Sequence, residues 1–226
     1  GHCASLQSAP GVADSYRMEF AVPVVGFALG WPIEWLIQRF PLGEGTPPSV
    51  RRRWLVAGLM AGLFAALTLQ IGIEPQLAPA LLLTALIVPA SVIDINHRII
   101  PNLINYPGAV LVFVVACIAQ PDRIAEFAIS GILCFLFLGT AWLISPRGMG
   151  LGDVKMALMI GLGTGRYAYV ALLFGFIAST ALSAYLLLRL GAKARKATFP
   201  FGPFLAFGTE VALLWGPPLS RHLIGF

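Results

Sequence analysis

Eight stretches of this chain, residues 20–38, 53–73, 77–94, 103–119, 124–144, 154–165, 167–190 and 204–223, are apolar with few charges inside them. No other feature restricts the fold so tightly. About 20 apolar residues make a membrane-crossing helix, and lipid admits only structures that satisfy their own backbone polar groups. Composition agrees, since only 11% of the 226 residues are charged and 58% are hydrophobic. The mean hydropathy is +0.84. A water-soluble domain carries about 25% charged residues. The chain therefore reads as an all-α, polytopic membrane helical bundle. Eight candidate transmembrane helices are the upper count, and six or seven remain open. The sixth, 12 residues and about 18 Å long, is either a half-span buried among other helices or continuous with the seventh.

Residues 1–17 are polar and lack the apolar core of a signal peptide. Met18 is a plausible native start, which makes residues 1–17 an added remnant or an upstream extension and 18–226 the membrane-embedded domain. The net charge of +5 is not a nucleic-acid signal, because no soluble basic domain exists to carry it; it is read through position instead. With eight spans, eleven Lys and Arg fall on one side, including Arg51, Arg52, Arg53, Arg98, Lys155 and Arg189. Only Arg17, Arg123, Arg166 and Arg221 fall on the other. Such a bias marks the first side as cytoplasmic and puts the N-terminus outside.

Asp94 then closes the third span and Asp153 opens the sixth, both at cytoplasmic ends although 59 residues separate them. Alone, Asp153 reads as a helix cap and Asp94 as an interfacial residue paired with Arg98. Together they offer more. Two close carboxylates cannot both ionise cheaply, so they share a proton. The ionised one can take a proton from water while the protonated one polarises a peptide carbonyl. Gly148, Gly150 and Gly152 permit positive φ and close approach of a substrate backbone. Cys3, Cys117 and Cys134 form no CxxC pair and His2, His97 and His222 lie far apart, so no metal site and no cofactor are expected.

The stretch GLGDVKMALMIGLGTG at 150–165 resembles the Gly-x-Gly-Asp-x-Lys motif of type IV prepilin peptidases, the membrane aspartic proteases of pilin and type II secretion systems. DINHRIIPN at 94–102 is similar to the family's first-aspartate segment, and FPFGPFLAFG at 199–208 to its Pro-Phe-Gly-Pro-Phe-Leu-Ala segment. VVGFALGWPIEWLIQRFP, from residue 24, resembles its first span. The resemblance implies Asp94 and Asp153 as the catalytic pair. It also implies removal of the basic leader of a prepilin or pseudopilin at the cytoplasmic face of a bacterial inner membrane. Gly150 and Gly152 would lie along the substrate. Lys155 either contacts substrate or snorkels at the interface, and Glu34, where the family usually has Asn, either contacts substrate or pairs with an Arg.

Many members carry a zinc-holding cysteine-rich domain between spans one and two. Here that region is FPLGEGTPPSVRRRW, so no zinc is expected, and the family's N-methylation of the new terminus is left open. A proton- or cation-coupled transporter using the same aspartates is the alternative, and a binding-only secretion subunit a third. Transporters of that type show inverted repeats and midplane carboxylates, and no repeat is visible in this sequence.

Overall fold

The computed structural model describes residues 21–30, 50–146, 149–191 and 199–224, and these form helices without a strand. They are α1 (Ala21–Gly30), α2 (Val50–Ile71), α3 (Leu77–His97), α4 (Asn102–Ala119), α5 (Ile124–Ile144), α6 (Leu151–Thr164), α7 (Ala168–Leu190) and α8 (Gly202–Ile224). Among the described residues, five stretches are long and apolar enough to cross a membrane: Arg53–Ile71, Leu77–His97, Asn102–Ala119, Pro121–Ile144 and Leu151–Arg189. The last of these is divided by the α6–α7 break. α8 matches them in length, but Glu210 and the Pro217–Pro218 pair lower its hydropathy.

Local chemistry sets the helix ends. Gly72, at φ +77°, stops α2. Arg98 closes α3 in the left-handed region at φ 54°, donating its N–H to the Asp94 carbonyl at 2.8 Å. Pro101, extended, precedes α4. Its fixed φ and missing N–H suit a helix start. Pro89 and Pro107 sit inside α3 and α4, as membrane helices tolerate when neighbours support the freed carbonyls.

Helices consecutive in the chain run antiparallel and α8 runs antiparallel to α3, whereas α4 and α6 run parallel, with Asn105 at Gly152 and Gly108 at Met159. An added Cβ on Gly26 or Gly30 of α1 would strike Phe64 or Ala57 of α2. Along α3 and α8, Thr84 meets Glu210 and Asp94 meets Gly202. Between α7 and α8, Gly175 abuts Phe204 and Gly216 abuts Tyr167. The outer faces carry Leu69, Ile118, Ile144 and Leu188, each at least three-quarters exposed. A bundle with apolar residues outward as well as inward is built for lipid.

At the centre stands α6. Val154, Met156, Ala157, Met159 and Ile160 are all at most 1% exposed, and its core cluster also holds Leu83, Val112, Leu138 and Leu205. It spans about 21 Å for its 14 residues, well under a hydrocarbon core of about 30 Å. Its Gly161 touches the α5 backbone so closely that a Cβ would lie 2.6 Å from the Ser130 carbonyl oxygen. At Gly165, φ +56°, the chain reverses. Glu126 accepts the Arg166 N–H at 2.7 Å there and pairs with Arg123. Phe176 of α7 then meets Phe137 of α5 edge-on at 6.0 Å, so α7 runs back along α5. The sixth helix is thus a short buried helix distinct from the seventh, the first of the two expectations.

Candidate functional site

The last turn of α3, the first turn of α6 and the start of α8 converge at one end of the bundle. Asp94 and Asp153 are both buried, at 5% and 6% exposure, and close enough for the Asp94 charge to act on Asp153. Antiparallel packing explains the meeting: α3 ends where α6 and α8 begin.

Each carboxylate has one oxygen held by a glycine. The Gly202 N–H donates to Asp94 Oδ2 at 2.9 Å, and the positive start of α8 adds to that attraction. A Cβ on Gly202 would stand 2.8 Å from the same oxygen, so only glycine brings this N–H so close. The Gly150 N–H donates to Asp153 Oδ2 at 3.1 Å. Asp153 Oδ1 is buried with no hydrogen-bond partner. The simple cap reading is therefore half right: Asp153 caps α6 from its third helical position with one oxygen and leaves the other free for chemistry. Among the described residues no ion pair joins Asp94 to Arg98; the place expected for Arg98 is taken by Gly202.

Gly150 and Gly152 lie beside Asp153, but not for the conformational reason expected. Gly150 has φ −78°, and neither belongs to the positive-φ glycines Gly72, Gly165 and Gly191. Their use is closeness. A Cβ on Gly150 would lie 3.2 Å from Asp153 Oδ2, and one on Gly152 would lie 3.0 Å from Ile100 Cβ in the α3–α4 connection. Lys155 faces away from the pair, toward α4: its Nζ donates to Asn102 Oδ1 at 2.7 Å and rests 4.7 Å over the Tyr106 ring. Glu34 lies outside the described residues.

Sequence reasoning passed over three groups. Gly202 sits in the segment FPFGPFLAFG, to which no site residue was assigned, and its neighbour Phe201 packs tilted against Phe176 at 5.3 Å. Asn105, 1% exposed, donates its Nδ2 to the Gly152 carbonyl at 3.2 Å. Glu210, deeper in the bundle, accepts the Thr84 hydroxyl at 2.9 Å. A carboxylate inside an apolar helix was the visible signal for Glu210, which sorting Lys and Arg alone ignores. No group of three His, Cys, Asp or Glu able to hold a metal occurs among the described residues.

Residues 80–187 match the model of the type IV leader peptidase family. The chain is 32% identical over 164 residues to a prepilin leader peptidase/N-methyltransferase of Bacillus subtilis, covering 73% of this chain and 66% of that protein. It is 27% identical over 203 residues to the protein so named in Stutzerimonas stutzeri, with 86% and 69% covered. The Pseudomonas aeruginosa protein of that name is 27% identical, with 84% and 62% covered. The chain spans about two thirds of the length of these relatives. No solved structure matches it significantly.

Proposed function

Because the chain belongs to the type IV leader peptidase family, we propose that it is a membrane aspartic endopeptidase. In this reading it cuts the leader from a type IV prepilin or pseudopilin, with Asp94 and Asp153 as the catalytic pair. One observation supports the assignment above the rest: two buried carboxylates interact at one end of the bundle, each with its Oδ2 held by a glycine N–H. The transporter alternative draws no support from the comparisons, which all name peptidases.

The pair shares one proton. Asp94, its Oδ2 on the Gly202 N–H, is assigned as the base. Asp153 Oδ1, unpartnered in an apolar surround, is the better seat for the proton. A water between them loses a proton to Asp94 as its oxygen attacks the scissile carbonyl, and Asp153 donates to the carbonyl oxygen. The tetrahedral intermediate then collapses: the C–N bond breaks, the proton now on Asp94 passes to the leaving amine, and one hydroxyl of the intermediate returns its proton to Asp153 as the C=O re-forms. Peptide bonds inside a helix are shielded by their own hydrogen bonds, so the substrate lies extended here, past Gly150 and Gly152. By the Lys and Arg sorting this end faces the cytoplasm of a bacterial cell, where a basic leader would remain.

Asp94→Asn and Asp153→Asn should each lower cleavage of a purified prepilin by more than about 10³-fold while the protein still inserts and melts normally. Leader loss is followed by mass spectrometry. Substantial cleavage by either variant removes the pair from the mechanism.

A further inference from the structure

A chain built only for stability would not put an asparagine at position 105. Its side chain is buried, its Oδ1 finds no hydrogen-bond partner, and its Nδ2 donates to the Gly152 carbonyl at 3.2 Å. Burying an amide oxygen unpaired costs stability, and leucine has the same heavy-atom branching, with bulkier ends, without that cost. Where a residue breaks a local rule without structural gain, a working role is the reason to look for.

Its position supplies one. Asp94 and Asp153 come from separate helices, so something must fix their spacing. From Asp94 the chain turns at Arg98, packs Ile100 on Gly152, and enters α4 at Pro101. One turn into α4, Asn105 grips the carbonyl of the residue immediately before Asp153. Asn102, on the same turn, accepts from Lys155, two residues beyond Asp153. The start of α4 therefore holds the aspartate turn of α6 from both sides and is joined to Asp94 by a short connection.

We propose that Asn105 is a positioning residue of the peptidase, which sets where the Asp153 carboxyl stands relative to Asp94 by holding the Gly152 carbonyl. The proposal rests on the two-aspartate reading above. It acts through Asp153 and touches no substrate, so its effect falls on turnover rather than on binding.

The test compares the unmodified protein, Asn105→Leu and Asn105→Thr in detergent, with a purified type IV prepilin as substrate. Asn105→Leu should melt at or above the unmodified protein yet lose about 10²-fold in kcat, the scale of a 1 Å misplacement, with KM within about twofold. Asn105→Thr, whose hydroxyl can still donate, should recover most of that loss. Unchanged kcat in Asn105→Leu overturns the proposal. So does a loss of kcat that follows a lowered melting temperature, or a rise in KM alone. If the unmodified protein leaves the prepilin uncut, the two-aspartate reading and this proposal fail together; cleavage by it with an indifferent Asn105→Leu sinks this proposal only.

Discussion

Replacing Gly202 by alanine tests the least expected contact of the site. The new Cβ would stand 2.8 Å from Asp94 Oδ2 and 3.3 Å from its Cβ and Cγ. Ordinary contact begins at 3.4 Å, so the carboxylate or the start of α8 must move by about 0.6 Å. That stretches the 2.9 Å bond from the Gly202 N–H to about 3.5 Å, where it no longer counts as one. A hydrogen bond to a charged group contributes about 1.5–3 kcal/mol. At about 1.4 kcal/mol per factor of ten, kcat/KM for leader removal should fall roughly 10- to 160-fold. Beyond the loss of that bond the fold should hold, because Gly202 has no positive φ. The assay pairs a time course of leader loss with a thermal melt of the same preparation. A variant that melts normally and keeps kcat/KM within about twofold would refute the idea that this N–H holds Asp94 in its working place.

Four further outcomes are expected. Gly161→Ala drives a Cβ into the Ser130 carbonyl and the Gly131 Cα, at 2.6 and 2.7 Å, and should destabilise the bundle by about 2–3 kcal/mol, seen as a lower detergent melting temperature. Glu210→Gln keeps an acceptor for the Thr84 hydroxyl and removes an ionisable group from the bundle interior, so it should melt at or above the parent and cleave at its rate. Glu210→Leu strands that hydroxyl and should lose about 1–3 kcal/mol in the same melt. Cleavage should survive strong chelators, since no metal-binding cluster occurs among the described residues; loss in EDTA with recovery in zinc would expose a missed ligand set.

Hydropathy made the helices legible because each span is one continuous signal in the sequence. α3, α4 and α5 begin or end within about three residues of the boundaries it suggests. The convergence of Asp94 and Asp153 was legible too, because alternating antiparallel spans return the ends of α3 and α6 to the same side. What stayed hidden depends on helix register. The facing of Gly202 on Asp94, of Asn105 on Gly152 and of Glu210 on Thr84 is fixed by rotation about helix axes, and an all-round apolar helix has no polar face to betray that rotation. At Gly150 and Gly152 the expectation of positive φ failed for a related reason. Sequence shows that a residue is small, but not whether smallness serves a turn, a substrate or, as at Gly152, a neighbouring isoleucine.

The bond from Gly202 to Asp94 joins residues 108 positions apart, and this has a consequence for how the protein is made. At about 5–20 residues per second of synthesis, the end of α3 exists for roughly 5–20 s before the start of α8 emerges to meet it. α6, too short to cross a bilayer alone, must be carried in with its neighbours over the same interval. A nascent chain therefore holds Asp153 already capped by Gly150 but Asp94 not yet held by Gly202. On the two-aspartate reading, competence to cut arrives only when α8 docks on α3.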